Sequence, residues 1–123
     1  MNAPFLVQWF SHMDSDEPER VLELVGSDFQ LSVLFSGGTD SPATDFSGDR
    51  QALVGYLEQR LKNTRTHHVL NAVTSGGDEM VIGEVRQQGE FEASFSAVAR
   101  LDSEGKASRL LMGRTPGVRF ETP

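Results

Sequence analysis

The second half of the chain constrains the fold most. From Thr66 onward four runs read as strands, roughly Thr66–Ser75, Glu79–Gln87, Phe91–Asp102 and Ala107–Thr115. The breaks between them, Ser75-Gly76-Gly77-Asp78, Gln88-Gly89-Glu90 and Ser103-Glu104-Gly105-Lys106, are short and each holds glycine. Such connections close hairpins and leave no room for a crossover helix, so the four runs form an antiparallel meander. A sheet of this kind has one face to bury, and the rest of the chain must supply the cover.

The first half supplies it. Pro4 suits a first helical turn, and Phe5, Leu6, Trp9, Phe10 and Met13 recur at spacings of three and four, which predicts an amphipathic helix over Pro4–Met13. Asp14-Ser15-Asp16-Glu17-Pro18 breaks it. A second helix follows, with Asp16 as cap, Val21, Leu22, Leu24 and Val25 as its apolar stripe and Gly26 as its stop. From Asp28 the period changes to two, with Phe29, Leu31, Val33 and Phe35 on one side of a strand. Residues 36–45 are turn formers without periodicity and read as a loop. Asp49 or Ser47 caps a longer helix to about Lys62, with Leu53, Tyr56, Leu57 and Leu61 on one face. Gly117–Pro123 reads as an extension over the surface. The expectation is a single α+β domain over 1–123: two short N-terminal helices, one strand, a long helix, then a curved antiparallel meander enclosing a pocket.

Composition narrows the partners. The net charge is −7, acids cluster at Asp14, Asp16, Glu17, Glu19 and Glu23, and no basic cluster exists, so a phosphate backbone is repelled and nucleic acid is not expected. The chain has no cysteine, which removes thiolate chemistry and disulfides. No run approaches the ~20 apolar residues that span a bilayer, and the first residues lack a basic-then-apolar leader, so the expectation is no membrane association and a cytoplasmic protein. The histidines are not spaced for one-sided metal ligation, and neither a metal nor another cofactor is expected.

Two local patterns carry a resemblance: Thr66-His67-His68-Val69-Leu70-Asn71 directly after the long helix, and Gly113-Arg114-Thr115-Pro116 closing the last strand. With the order of elements they resemble the SnoaL-like, or nuclear transport factor 2-like, superfamily, whose cone of sheet and helices encloses one pocket. The superfamily includes polyketide cyclases, steroid isomerases, epoxide hydrolases and dehydratases beside binding modules without catalysis. The nearest local pattern is similar to the scytalone dehydratase-like branch, where an aspartate after the first helix orients a histidine on the strand after the long helix. Those positions match Asp14 and His68. The chain departs from that branch at Met13, where the branch has tyrosine, and has no second strand histidine.

Strand alternation puts His67, Val69, Asn71 and Val73 on one face and His68, Leu70, Ala72 and Thr74 on the other, so at most one imidazole of the pair enters a pocket. The resemblance selects His68 as acid–base residue and Asp14 as its orienter, suited to proton transfer near neutral pH. Trp9, Phe35, Tyr56, Leu70 and Ser94 are the candidate contacts to a small apolar or aromatic ligand. Arg86, Arg109 and Arg114 are candidates to pair with Glu84, Glu79 or a ligand carboxylate. On the run from Phe91, the apolar residues Phe91, Ala93, Phe95, Ala97 and Ala99 share one face, which lines the pocket or forms a subunit interface according to register. The resemblance implies a homodimer through the outer sheet face. Two functions stand open: a cofactor-independent lyase, isomerase or cyclase, with hydrolysis as a variant, and a non-catalytic ligand-binding or dimerisation module of the same fold.

Overall fold

The structure, a computed structural model, describes residues 2–36, 44–59 and 64–121. Helix α1 spans Pro4–Met13, and a 3-10 turn covers Pro18–Leu24. Strands β1 (Val25–Phe35) and β2 (Thr44–Asp49) precede helix α2 (Arg50–Gln59), and the meander comprises β3 (Thr66–Ser75), β4 (Asp78–Gln87), β5 (Glu90–Leu101) and β6 (Ala107–Thr115). All six strands form one sheet in the order β2-β1-β6-β5-β4-β3. The meander pairs are antiparallel as expected, while β1 lies parallel to β6 and β2 pairs antiparallel with β1 at the edge. The result is an α+β cone: a curved sheet with α1 and α2 against its inner face.

Strand β2 was not expected, because residues 36–45 read as loop; most of that segment, and the last expected turn of the long helix, lie outside the described residues. Thr44–Asp49 carries one large apolar residue, Phe46, so it shows no alternation to detect, and pairing with β1 makes it a strand. Asp49 is the helix cap, its Oδ1 accepting the Ala52 N–H at 3.0 Å.

Helix α1 has no capping side chain of its own, and Ala3 before it sits in the left-handed region at φ 54°. Its cap comes from the sheet. Glu79, buried on the inner face of β4, accepts the N–H groups of Phe5 and Leu6 at 3.1 and 2.9 Å. A carboxylate in that place satisfies two of the helix's orphan donors and complements the positive end of its dipole. With α1 held there, Phe5, Leu6, Trp9, Phe10 and Met13 enter a core shared with Phe29, Leu53, Val85, Phe95 and Leu110.

Strand β4 carries a second buried carboxylate, Glu84, on the opposite face. It is fully covered by the C-terminal tail: Arg119 gives it two bonds at 3.0 and 3.1 Å, and Arg86 a third at 2.6 Å. Arg119 also lies over the Phe91 ring at 4.8 Å, and Ser94 Oγ donates to the Val118 carbonyl. Arg119 first, then Arg86, holds the Glu84 carboxyl below its ordinary range against the opposing effect of burial.

Two bulges decide which side chains face inward. In β3 the register shifts between Val69 and Asn71, so His67 and Val69 face the core, but beyond Leu70 it is Ala72 and Thr74 that do. In β5 the shift opposite Val85 and Arg86 makes Glu92 an extra residue. Ala93, Phe95, Ala97 and Ala99 are buried on the inner face as packed core, none of them among the residues that line the pocket, while Phe91 is turned to the outer face with Arg119.

Candidate functional site

The inner face, α1 and α2 enclose a pocket of about 630 Å3. Its wall is apolar, formed by Trp9, Phe10, Met13, Val33, Phe35, Phe46, Leu53, Tyr56 and Met112 among others, and its polar groups are few: His67, Arg65, Arg114, Gln59 and Thr64. Volume and composition are those of a small-molecule site.

At the pocket, Asp14 and His67 form the pair, and this corrects the choice of His68. The carboxylate of Asp14, at the C-terminal end of α1, accepts the His67 backbone N–H through Oδ2 and meets the ring Nδ1 through Oδ1, both at 2.7 Å. The His67 side chain is 8% exposed and that of Asp14 17%. Phe10 stacks on the imidazole at 4.6 Å and Phe95 meets it edge-on at 5.3 Å. With Nδ1–H donated to a carboxylate, Nε2 is the ring's acceptor, so the geometry sets one tautomer and one orientation. His68 points the other way, opposite Glu84 on the outer side, where its Nε2 meets Thr66 Oγ1 at 2.8 Å.

Gly83 makes the clamp possible. A Cβ there would collide with the His68 carbonyl oxygen and stand 2.8 Å from the Phe95 ring, so glycine lets that ring pack against β4 beside His67.

Of the five expected ligand contacts, Trp9, Phe35 and Tyr56 line the pocket. Leu70 and Ser94 do not. Leu70 sits at the β3 bulge and is exposed, and Ser94 is on the outer face beneath the tail. Sequence reading passed over Arg65 and Glu92. Arg65 Nε bonds Glu92 Oε1 at 2.6 Å, and Arg114, lying over the Phe35 ring at 4.2 Å, approaches the same oxygen at 3.8 Å. In a regular strand Glu92 would share the outer face with Ser94; the bulge turns it to the pocket rim.

Among the described residues no group of three or more His, Asp or Glu is arranged to hold a metal, and no helix is long and apolar enough to cross a membrane.

Helices folded into the mouth of a curved mixed sheet, with one pocket between them, define the cone architecture. That architecture is the fold of the SnoaL-like, nuclear transport factor 2-like superfamily. The chain is similar to a proposed isomerase of the SnoaL-like family from Agrobacterium tumefaciens, at TM-score 0.65 and 11% identity over 90% of this chain and 94% of that one. It is similar as well to IdmH from Streptomyces antibioticus, described as a proposed polyketide cyclase, at TM-score 0.63 and 16% identity over 89% and 88%. A de novo designed protein with a curved β-sheet matches at TM-score 0.65 and 15% identity over 91% and 83%. No protein-family model matches the sequence, and no curated protein matches it significantly. At these identities the likeness is one of fold, and the designed protein among the matches shows that this fold alone specifies no activity.

Proposed function

We propose that this protein is a small-molecule enzyme of the lyase, isomerase or cyclase kind, in which His67 takes and returns a proton within the apolar pocket and Asp14 orients it. The observation that carries this reading is the Asp14–His67 pair: Asp14 holds both the backbone and the ring of one residue at 2.7 Å, at the wall of a cavity large enough for a ligand. A purely structural histidine needs one partner. Here the carboxylate fixes Nδ1 and leaves Nε2 as the acceptor of a ring that lines the pocket, the arrangement a general base requires. Tyr56 and Gln59 line the same pocket and offer hydrogen bonds to a developing enolate oxygen. The names of the matched isomerase and cyclase agree with proton transfer at carbon.

The test is exchange or turnover in deuterium oxide against a panel of cyclic ketones, hydroxy-ketones and epoxides. His67→Ala should lower the rate by about 10²- to 10⁴-fold, the usual worth of a positioned acid–base group, and His68→Ala should leave it unchanged. A panel that binds without turnover assigns the protein to the rival class, a ligand-binding module.

The outer sheet face bears on assembly. Leu111, Val98, Met80 and Val73 are paired in register across four strands and all exposed. This row supports the reading of a homodimer joined through that face.

A further inference from the structure

Helix α1 is tied to the β3–β4 hairpin at both ends, and the ties at its start lie about 20 Å along β3 from the Asp14–His67 pair. The donors at that start are fully accounted for. Pro4 has no N–H, the Ala3 N–H donates to Thr74 Oγ1 at 2.7 Å, and Phe5 and Leu6 donate to the two oxygens of Glu79 at 3.1 and 2.9 Å. From Val7 onward the helix closes on itself, the Val7 N–H returning to the Ala3 carbonyl at 3.1 Å. Thr74 and Glu79 are direct partners in the β3–β4 register, so the acceptors form one seat at the end of the hairpin. Ala3, in that seat, is fully buried and held in the left-handed region that a side chain disfavours. A strained residue fixed by its neighbours marks a constrained position rather than a relaxed helix end.

At the other end Asp14, directly after α1, takes the backbone N–H and the ring Nδ1 of His67. Thr74 and His67 are seven residues apart, an odd interval that puts them on opposite faces of a regular strand. The extra residue at Leu70 removes that conflict, and with it both meet the helix. Without the bulge, one helix could not be tied to β3 at both ends. Between the ties the helix advances about 1.5 Å per residue. Any slide of its start along the hairpin is therefore delivered at Asp14, where bonds of 2.7 Å leave no slack.

We propose that Thr74 and Glu79 are positioning residues for the Asp14–His67 pair: they fix where α1 begins on the hairpin and, through the helix, where Asp14 meets His67. The inference rests on the reading of that pair as the acid–base device. Neither residue lines the pocket, so their influence on His67 passes through what they hold. Thr74 is the sharper of the two to test. It is an exposed residue near the end of β3, where a side chain of the same shape without the hydroxyl disturbs little packing.

The readout is the His67 ring itself, followed by nitrogen and proton NMR of isotope-labelled protein. A ring held on a carboxylate through Nδ1 shows a bonded Nδ1–H proton and a bare Nε2. His67→Ala identifies its signals among those of the chain's three histidines. Thr74→Val should broaden or abolish the Nδ1–H signal and let both tautomers appear, with far-UV circular dichroism unchanged. Thr74→Ser, which keeps the hydroxyl, should restore the signal, and Glu79→Gln should act in the same direction as Thr74→Val and more strongly. On any substrate that the protein turns over, Thr74→Val should lose about tenfold in kcat and Thr74→Ser recover it, against about 10²-fold for a full misplacement of about 1 Å. An unchanged Nδ1–H signal in Thr74→Val would overturn the proposal. Equal loss in Thr74→Val and Thr74→Ser would overturn it as well, since packing and not the bond would then carry the effect. Failure of the acid–base reading has a different signature: the bonded Nδ1–H is present in the unmodified protein and lost in Thr74→Val, yet no member of the substrate panel turns over.

Discussion

Replacing Glu79 with glutamine isolates the device that holds α1 against the sheet. The two carboxylate oxygens accept the Phe5 and Leu6 N–H groups in a fully buried setting. Glutamine fills the same volume but keeps one acceptor; its NH2 must face the other backbone N–H, donor against donor. One charge-assisted bond is lost outright, the other becomes a neutral bond, and a buried donor is left without a partner. At about 1.5–3 kcal/mol for a bond to a charged group and about 1–3 for an orphaned donor, partly overlapping, the cost is about 3 kcal/mol. For a chain of this length that corresponds to roughly 10 °C in Tm. The assay is urea and thermal unfolding followed by far-UV circular dichroism and by Trp9 emission, since Trp9 is on α1 and buried. Loosening of α1 should red-shift Trp9 in the variant before global unfolding. A Glu79→Gln protein within about 0.5 kcal/mol of the original, with unchanged Trp9 emission, would refute the argument that β4 caps this helix.

Further outcomes follow from the same geometry. Glu84 has a depressed folded pKa, so its contribution to stability is fully present above its unfolded value of about 4.3 and is lost as pH falls through the folded value. Unfolding measured at pH 7 and again near pH 3 should show Glu84→Gln clearly destabilised at the higher pH, with the gap narrowing at the lower; a constant gap would contradict the linkage. Gly83→Ala should displace Phe95 and the β3–β4 pairing beside His67, costing about 2–4 kcal/mol as an overpacked, strained site, whereas Gly55→Ala on α2, where a Cβ meets nothing within 4 Å, should be neutral or stabilising. Leu111→Lys, at one end of the exposed outer row, should shift the sedimentation coefficient from dimer to monomer and leave the monomer's unfolding free energy within about 0.5 kcal/mol, as for a surface change; a monomeric parent protein would remove the dimer reading.

The meander and α1 were legible because their signals are local. Glycine falls where each hairpin needs a left-handed residue, as at Gly76, Gly89 and Gly105 with φ of 59°, 83° and 77°, and the apolar spacing of Pro4–Met13 matches the buried stripe residue for residue. The histidine pair shows where local reading stops. Alternation correctly sent the two rings to opposite faces, but the bulge at Leu70 reverses the faces within β3: His67 and Val69 face in on one side of it, Ala72 and Thr74 on the other. Both groupings by alternation therefore mix inward- and outward-facing residues, and neither carries a clean apolar signal that could have selected His67. The same holds for Glu92, whose inward turn depends on a register shift that only the pairing with β4 reveals. Ser94 looked like a pocket residue because nothing in its neighbourhood announces that the tail, 24 residues later, covers it. Edge strand β2 was hidden for a simpler reason: it borrows its conformation from β1.

The parallel pairing of β1 with β6 governs the order in which the pocket can come into being. The meander closes through three short turns and costs little loop entropy at each step, whereas β1 joins it across contacts such as Arg109 to Asp28, 81 residues apart. During folding the sheet can thus be assembled while one wall is missing, with Phe95, Leu110 and Met112 facing water on its open side. The cavity exists only once β1 has docked, since Leu31, Val33 and Phe35 form one of its walls. A ligand that recognises the finished cavity consequently acts as a latch on that event, slowing the departure of the N-terminal third of the chain rather than strengthening the meander itself.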